Sequence, residues 1–129
     1  MSRILVVDDE ATVRALLRDV LELEGHEVDE AEDGPTALDH IESDRPDLVL
    51  LDVMMPGMSG IDVLAEIRHH DGAVAGIPVA MLTAAGDDET TWAGWTNGAS
   101  VYLNKPFDHL NLLTWIDRLL DRTHTVPAA

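Results

Sequence analysis

The chain has no cysteine, a single lysine, one tyrosine and one phenylalanine among 129 residues. Without cysteine there is neither a disulfide staple nor a thiolate metal site. Positive charge is scarce: 8 Lys and Arg stand against 25 Asp and Glu, a formal net charge of −17. A surface this acidic repels phosphate backbones and anionic membranes, so direct binding of nucleic acid or membrane by this domain is not expected. Positive partners remain compatible, a divalent cation among them. No apolar run approaches the roughly 20 residues that span a bilayer. Met1-Ser2-Arg3 leads straight into a strand-like run, without the apolar segment and small-residue cleavage site of a signal peptide. Cytoplasmic residence is the simplest expectation.

What is present is a set of four short apolar runs, each ending in a reactive polar residue. Ile4–Val7 runs into Asp8-Asp9, Leu48–Leu51 into Asp52, Val79–Leu82 into Thr83, and Val101–Asn104 into Lys105. Between them lie helical patterns, and βα alternation from end to end argues for a parallel sheet covered on both faces, an α/β fold. Glu27–Ala31 alternates apolar and acidic residues and reads as an edge strand. Helices are expected over about Ala11–Glu24, Gly34–Ser43, Ser59–Asp71, Asp87–Asn97 and Asp108–Arg122. Gly25 suits a helix C′ position, Pro35 a first helical turn, and Ser59 with Asp62 a capping box.

Parallel strands bring their C-terminal ends to one edge, where open α/β sheets place ligand sites. Asp8, Asp9 and Asp52 brought together call for a cation, because carboxylates about 4 Å apart repel by roughly 1 kcal/mol even in water. Oxygen ligands select a hard ion, Mg²⁺ or Mn²⁺, which leaves coordination sites for phosphoryl oxygens. A carboxylate can accept a phosphoryl group as an aspartyl phosphate, and catalysis there is mostly positioning and charge neutralisation. Asp52, flanked by the other groups, is the natural acceptor. Lys105 supplies the cation on the far side and Thr83 a hydroxyl donor. Each residue alone has a plainer reading: an Asp or Thr after a strand usually caps a turn or helix, and a lone Lys is usually solvated. Four reactive strand ends together are harder to dismiss. The histidines form no spacing that suggests a metal site.

The motifs Val6–Glu10, Leu50–Gly60, Leu82-Thr83-Ala84 and Gly98–Phe107, in this order and at these separations, resemble the receiver domain of bacterial two-component response regulators. The resemblance covers about Arg3 to Arg122; the domain is expected over residues 1–123, with 124–129 a C-terminal tail or linker stump. It implies a flavodoxin-like doubly wound (βα)5 fold with five parallel strands in the order 2-1-3-4-5. It implies that Asp52 accepts a phosphoryl group from a sensor histidine kinase or phosphotransfer protein. Asp9, Asp52 and the backbone carbonyl of Met54 would ligate Mg²⁺ directly, and Asp8 largely through water. Thr83 would donate to the phosphoryl group, Lys105 would pair with it, and Tyr102 would be the switch aromatic.

The same resemblance makes the protein a signalling domain that catalyses only its own phosphotransfer and slow dephosphorylation. Its switch would alter the face of fourth helix, fifth strand and fifth helix, and so control a downstream protein or fused output domain, with a phospho-dependent homodimer as one outcome. Trp95 and Trp115, at the margins of their helices' apolar stripes, are placed with Tyr102 on that partner face; the plainer reading is that both rings complete the core. Met54 and Ala85, apolar where the family often has polar residues, predict slow loss of the phosphoryl group. Two rival readings fit these residues less well. A phosphatase of the haloacid-dehalogenase class would carry its nucleophile on the first strand, against the mid-chain Asp52. A pseudo-receiver would not need the complete set of acids, Thr and Lys.

Overall fold

A computed structural model of the chain describes residues 2–70, 72–84, 98–105 and 108–124. Five strands, β1 (Arg3–Val7), β2 (Glu27–Ala31), β3 (Leu48–Asp52), β4 (Val79–Ala84) and β5 (Val101–Lys105), form one parallel sheet in the order β2-β1-β3-β4-β5. The described helices are α1 (Ala11–Leu23), α2 (Gly34–Asp44), α3 (Gly60–Arg68) and a C-terminal helix (His109–His124), with a 3-10 turn at Gly72–Gly76. The doubly wound fold expected from βα alternation is the one observed. The helix expected between Asp87 and Asn97 lies outside the described residues.

Side chains alternate across a strand, and here both faces are covered, so the central strands have no polar face. Leu5, Val7, Val49, Leu51, Val79 and Met81 pack with Ala37, Ile41, Val63, Leu64 and Ile67 of α2 and α3. The intervening Ile4, Val6, Leu48, Leu50, Ala80 and Leu82 pack with Leu17 and Leu21 of α1 and with Leu112 and Ile116 of the C-terminal helix. All five residues of β3 are buried, as continuous apolar runs in parallel sheets should be.

The local signals for helix ends match the structure. Ser59 caps α3, its Oγ accepting from Asp62 N–H while the Asp62 carboxylate accepts from Ser59 N–H. Asp33 caps α2, with Pro35 in the first turn. Gly25 follows α1 with φ of 86°, a conformation that only glycine adopts without strain. Other boundaries differ. The apolar run of β4 continues through Thr83 to Ala84, and Asp52 and Lys105 close their strands rather than following them. These polar residues stay in the ladder because each is paired in register: Asp52 with Leu82, Thr83 with Asn104, Ala84 with Lys105.

Two contacts set the frame around the strand ends. Gly60, the first residue of α3, lies so close to the chain after β3 that a Cβ would strike the Asp52 carbonyl oxygen and stand 2.9 Å from Val53 Cα. Gly60 N–H also donates to Val53 O at 2.9 Å. At the opposite end of α3, Arg68 is half-buried and donates to three carbonyls: Gly98 at 2.9 Å, Ala75 at 3.1 Å and Ile77 at 2.7 Å. Burial pushes its guanidinium pKa below the ordinary value, and the three carbonyls are its compensation.

Candidate functional site at the strand ends

β1, β3, β4 and β5 lie side by side and run the same way, so their last residues meet at one edge. The register pairs Val7 with Leu51, so Asp8, just after β1, follows beside Asp52, the last residue of β3. Asp8, Asp52 and Thr83 are buried, with 0%, 5% and 2% of their surfaces exposed. That burial is uncommon for carboxylates and requires polar partners.

Each of the two aspartates accepts a hydrogen bond from a main-chain N–H two residues on. Asp8 Oδ1 accepts from Glu10 N–H at 2.9 Å, and Asp52 Oδ1 accepts from Met54 N–H at 3.3 Å. Asp8 N–H donates to Ala31 O of β2, and Val53 N–H donates to Leu82 O of β4, each at 3.1 Å. The turn after β1 is therefore tied to one neighbouring strand, and the turn after β3 to another.

Among the described residues, the carboxylate oxygens of Asp8, Asp9 and Glu10 come within 4.8 Å of one another. Asp9 and Glu10 are exposed while Asp8 is buried, so the cluster opens to solvent on one side. An all-oxygen, anionic donor set of this kind fits a hard divalent cation. Glu10 is the member that the sequence reading did not single out; the signal was the third acid in the run Asp8-Asp9-Glu10. Asp52, expected with Asp8 and Asp9, is not one of these three; it closes the neighbouring strand β3.

A second cluster, Asp29, His40 and Asp44, meets the same distance limit. It differs in charge balance. Arg3 lies 3.9 Å from both Asp29 and Asp44, and His40 Nδ1 stands 3.2 Å from Asp44 Oδ2. The protein supplies its own cation there.

The remaining expected residues are placed as follows. Lys105 closes β5 opposite Ala84. Met54, two residues after β3, is 61% exposed. Tyr102 is half-buried against the α2–α3 side of the sheet, and burial pushes its phenol pKa up. Trp115 packs against the opposite side, with the Arg118 guanidinium 5.3 Å from its ring centre. The two aromatics thus lie on different faces of the sheet. Trp95 and Ala85 lie outside the described residues.

Residues 4–117 match the family model of the response regulator receiver domain. The chain belongs to that family. Its receiver is 45% identical over 127 residues to the response regulator MprA of Mycobacterium tuberculosis, covering 98% of this chain and 54% of the relative. It is 43% identical to the DNA-binding response regulator MtrA of Mycobacterium leprae, again over 98% of this chain and 54% of the relative. Among solved structures, a putative response regulator from Chloroflexus aurantiacus superposes with a TM-score of 0.87 at 37% identity, covering 94% of this chain and 98% of that one. A CheY-like receiver domain protein from Methanospirillum hungatei gives 0.89 at 30% identity, covering 96% and 97%.

The receiver spans about half the length of the curated relatives it matches. The name of MtrA speaks of DNA binding, partly at odds with the expectation of no contact with nucleic acid. That expectation concerned this acidic stretch alone. No described helix of the receiver is long and apolar enough to cross a membrane.

Proposed function

We propose that this receiver is a phosphorylation-activated switch in which Asp52 accepts a phosphoryl group from the phosphohistidine of a sensor kinase or phosphotransfer protein. The observation that carries the reading is the burial of Asp52 at the end of the central strand β3, next in register to the acidic turn at Asp8. A carboxylate oxygen of Asp52 attacks phosphorus, the P–N bond to the donor imidazole breaks, and the imidazole leaves. Asp9, Asp52 and the Met54 carbonyl are assigned as direct ligands of Mg²⁺ or Mn²⁺, with Asp8 acting through water. Such a cation, when bound, neutralises charge on the phosphoryl oxygens.

Thr83 donates its hydroxyl to one phosphoryl oxygen and Lys105 pairs with another. The main chain around Asp52 is fixed by Val53 N–H on Leu82 O and by Met54 N–H on Asp52 Oδ1, so the acceptor is oriented before the donor arrives. An aspartyl phosphate adds about one negative charge and new acceptor oxygens. Thr83 and Lys105 gain bonds to it by shifting, and Tyr102 relays the shift to a partner face that includes Trp95 and Trp115. Moving a 1:99 equilibrium to 99:1 takes about 5.5 kcal/mol, within reach of a few charge-assisted hydrogen bonds.

The receiver catalyses its own phosphorylation and slow dephosphorylation, and no other turnover. The exposed thioether of Met54 does not orient an attacking water, which favours a long-lived phosphoryl group. The receiver occupies residues 1–123, with 124–129 a tail or linker, and works in the cytoplasm. Output comes from a protein partner, a phospho-dependent dimer or a fused domain, and the receiver itself does not contact DNA. The test is mass spectrometry after treatment with acetyl phosphate and Mg²⁺. One phosphoryl adduct is expected on the wild-type chain and none on Asp52→Asn; equal labelling of both overturns the reading.

A further inference from the structure

Arg14 lies outside the residues assigned to phosphoryl transfer, yet it grips the turn that carries the acids. Its Nη1 donates to the Asp8 carbonyl oxygen at 2.7 Å, and its Nε donates to Glu30 Oε1 of β2 at 3.0 Å. Its main-chain N–H donates to Glu10 O at 3.2 Å. One residue therefore holds both ends of the segment Asp8–Glu10, from the first turn of α1. Its side chain is only 16% exposed, so these bonds are sheltered from water.

The guanidinium is itself held. Glu30 accepts from Arg14 through one oxygen and from Arg18 Nε through the other, the latter at 2.6 Å. Burial would raise the Glu30 pKa, but the bonds from Arg18 and Arg14 outweigh it and hold the carboxyl below its ordinary range. Glu30, which Arg14 shares with Arg18, fixes the orientation of the Arg14 guanidinium. The planar fork reaches one acceptor in the turn after β1 and another on β2 at once, which a lysine ammonium on a flexible stem does not reproduce.

We propose that Arg14 is a positioning residue for the acidic turn: by clamping the Asp8 carbonyl to Glu30 it holds Asp8 and Asp9 in place for the divalent cation that they, with Asp52 and the Met54 carbonyl, would take. The metal half rests on the function proposed above. Arg14 touches neither cation nor phosphoryl group, and it acts through the main chain of Asp8. Partners behind metal ligands typically change affinity by about 10–100-fold when lost.

The experiment compares Arg14→Met, Arg14→Lys and Arg18→Met with the wild type. Arg18 is the control because it shares Glu30 but makes no described bond to Asp8. Two quantities are read: Mg²⁺ affinity by calorimetric titration without phosphodonor, and hydrogen exchange of the Glu10 amide in metal-free protein. Arg14→Met should weaken Mg²⁺ binding about 10-fold and speed exchange at Glu10, whose N–H is held by Asp8 Oδ1. Arg14→Lys should recover only part of both, and should Arg14→Met not fold, it carries the test alone. Arg18→Met should stay within about twofold on each. Unchanged or tighter Mg²⁺ binding in Arg14→Met overturns the proposal, as does equal weakening by Arg18→Met. A wild-type chain that binds no Mg²⁺ defeats the function reading and the metal half of this one. Exchange at Glu10 still decides whether Arg14 positions the turn.

Discussion

Two clusters in this receiver bring three potential ligands within the same distance. Asp29, His40 and Asp44 share the guanidinium of Arg3, which lies 3.9 Å from both carboxylates. Asp8, Asp9 and Glu10 are served differently: their arginine, Arg14, bonds to a main-chain carbonyl and spends its charge on Glu30. Among the described residues, no cation stands within ion-pair distance of Asp9 or Glu10. The first cluster has a cation of the protein's own between its carboxylates and reads as a surface ion-pair network. In the second, Arg14 holds the main chain of the turn and the exposed Asp9 and Glu10 face solvent. Proximity of acids does not separate these cases; the position of the nearest cation does.

Breaking the second cluster should have the larger effect. Asp9→Asn should weaken Mg²⁺ binding by roughly 10–100-fold and leave the melting temperature unchanged or raised, because it removes repulsion between exposed acids. A parallel calorimetric titration and thermal melt check both halves; a large loss of stability would mean that the acid serves the fold. Gly60→Ala attacks the same site from its frame. The added methyl meets the backbone of Asp52 and Val53, which cannot swing aside as a flexible side chain would. A loss of about 2–4 kcal/mol in denaturant unfolding is expected, with slower labelling by acetyl phosphate in the fraction that folds.

A pH titration sharpens the contrast. The Glu30 carboxyl has a folded pKa held below its ordinary 4.5. Its ion pairs therefore add stability that is complete above about pH 4.5 and is lost as the pH falls through the folded value. Glu30→Gln should cost about 1 kcal/mol at neutral pH. The gap to wild type should close on acidification, and a gap that stays constant down to pH 2 would contradict the assignment. The smallest effect is expected from Arg3→Met. It should lower the melting temperature slightly, in a salt-sensitive way, and leave Mg²⁺ affinity untouched. Weaker Mg²⁺ binding in that variant would erase the distinction between the clusters.

Much of this was readable from the chain, and the reason is local. Apolar runs ending in Asp8, Asp52, Thr83 and Lys105 report strands directly, and the caps at Ser59, Asp33 and Gly25 depend on residues a few positions apart. Other features depend on reach. Arg45 adopts a left-handed φ of 44° after α2, a position where glycine would be expected. The 3-10 turn at Gly72–Gly76 has no periodic signal of its own. Arg14 looks like one polar residue on an amphipathic helix until β2 brings Glu30 beside it. Tyr102, read as the switch aromatic, and Trp115, at the margin of its helix's stripe, are expected on one partner face; the sheet's two-sidedness assigns them to opposite layers.

Arg68 has a mechanical meaning beyond its hydrogen bonds. Its guanidinium joins the last turn of α3 to the 3-10 segment and to Gly98, just before β5. A link of this kind transmits displacement rather than charge. If the turn at Gly98 shifts, it must break a charge-assisted bond or draw the end of α3 along with it, and Gly60, at the other end of that same short helix, presses on the backbone of Asp52. The helix therefore spans the distance between the end of β3 and the approach to β5, touching both.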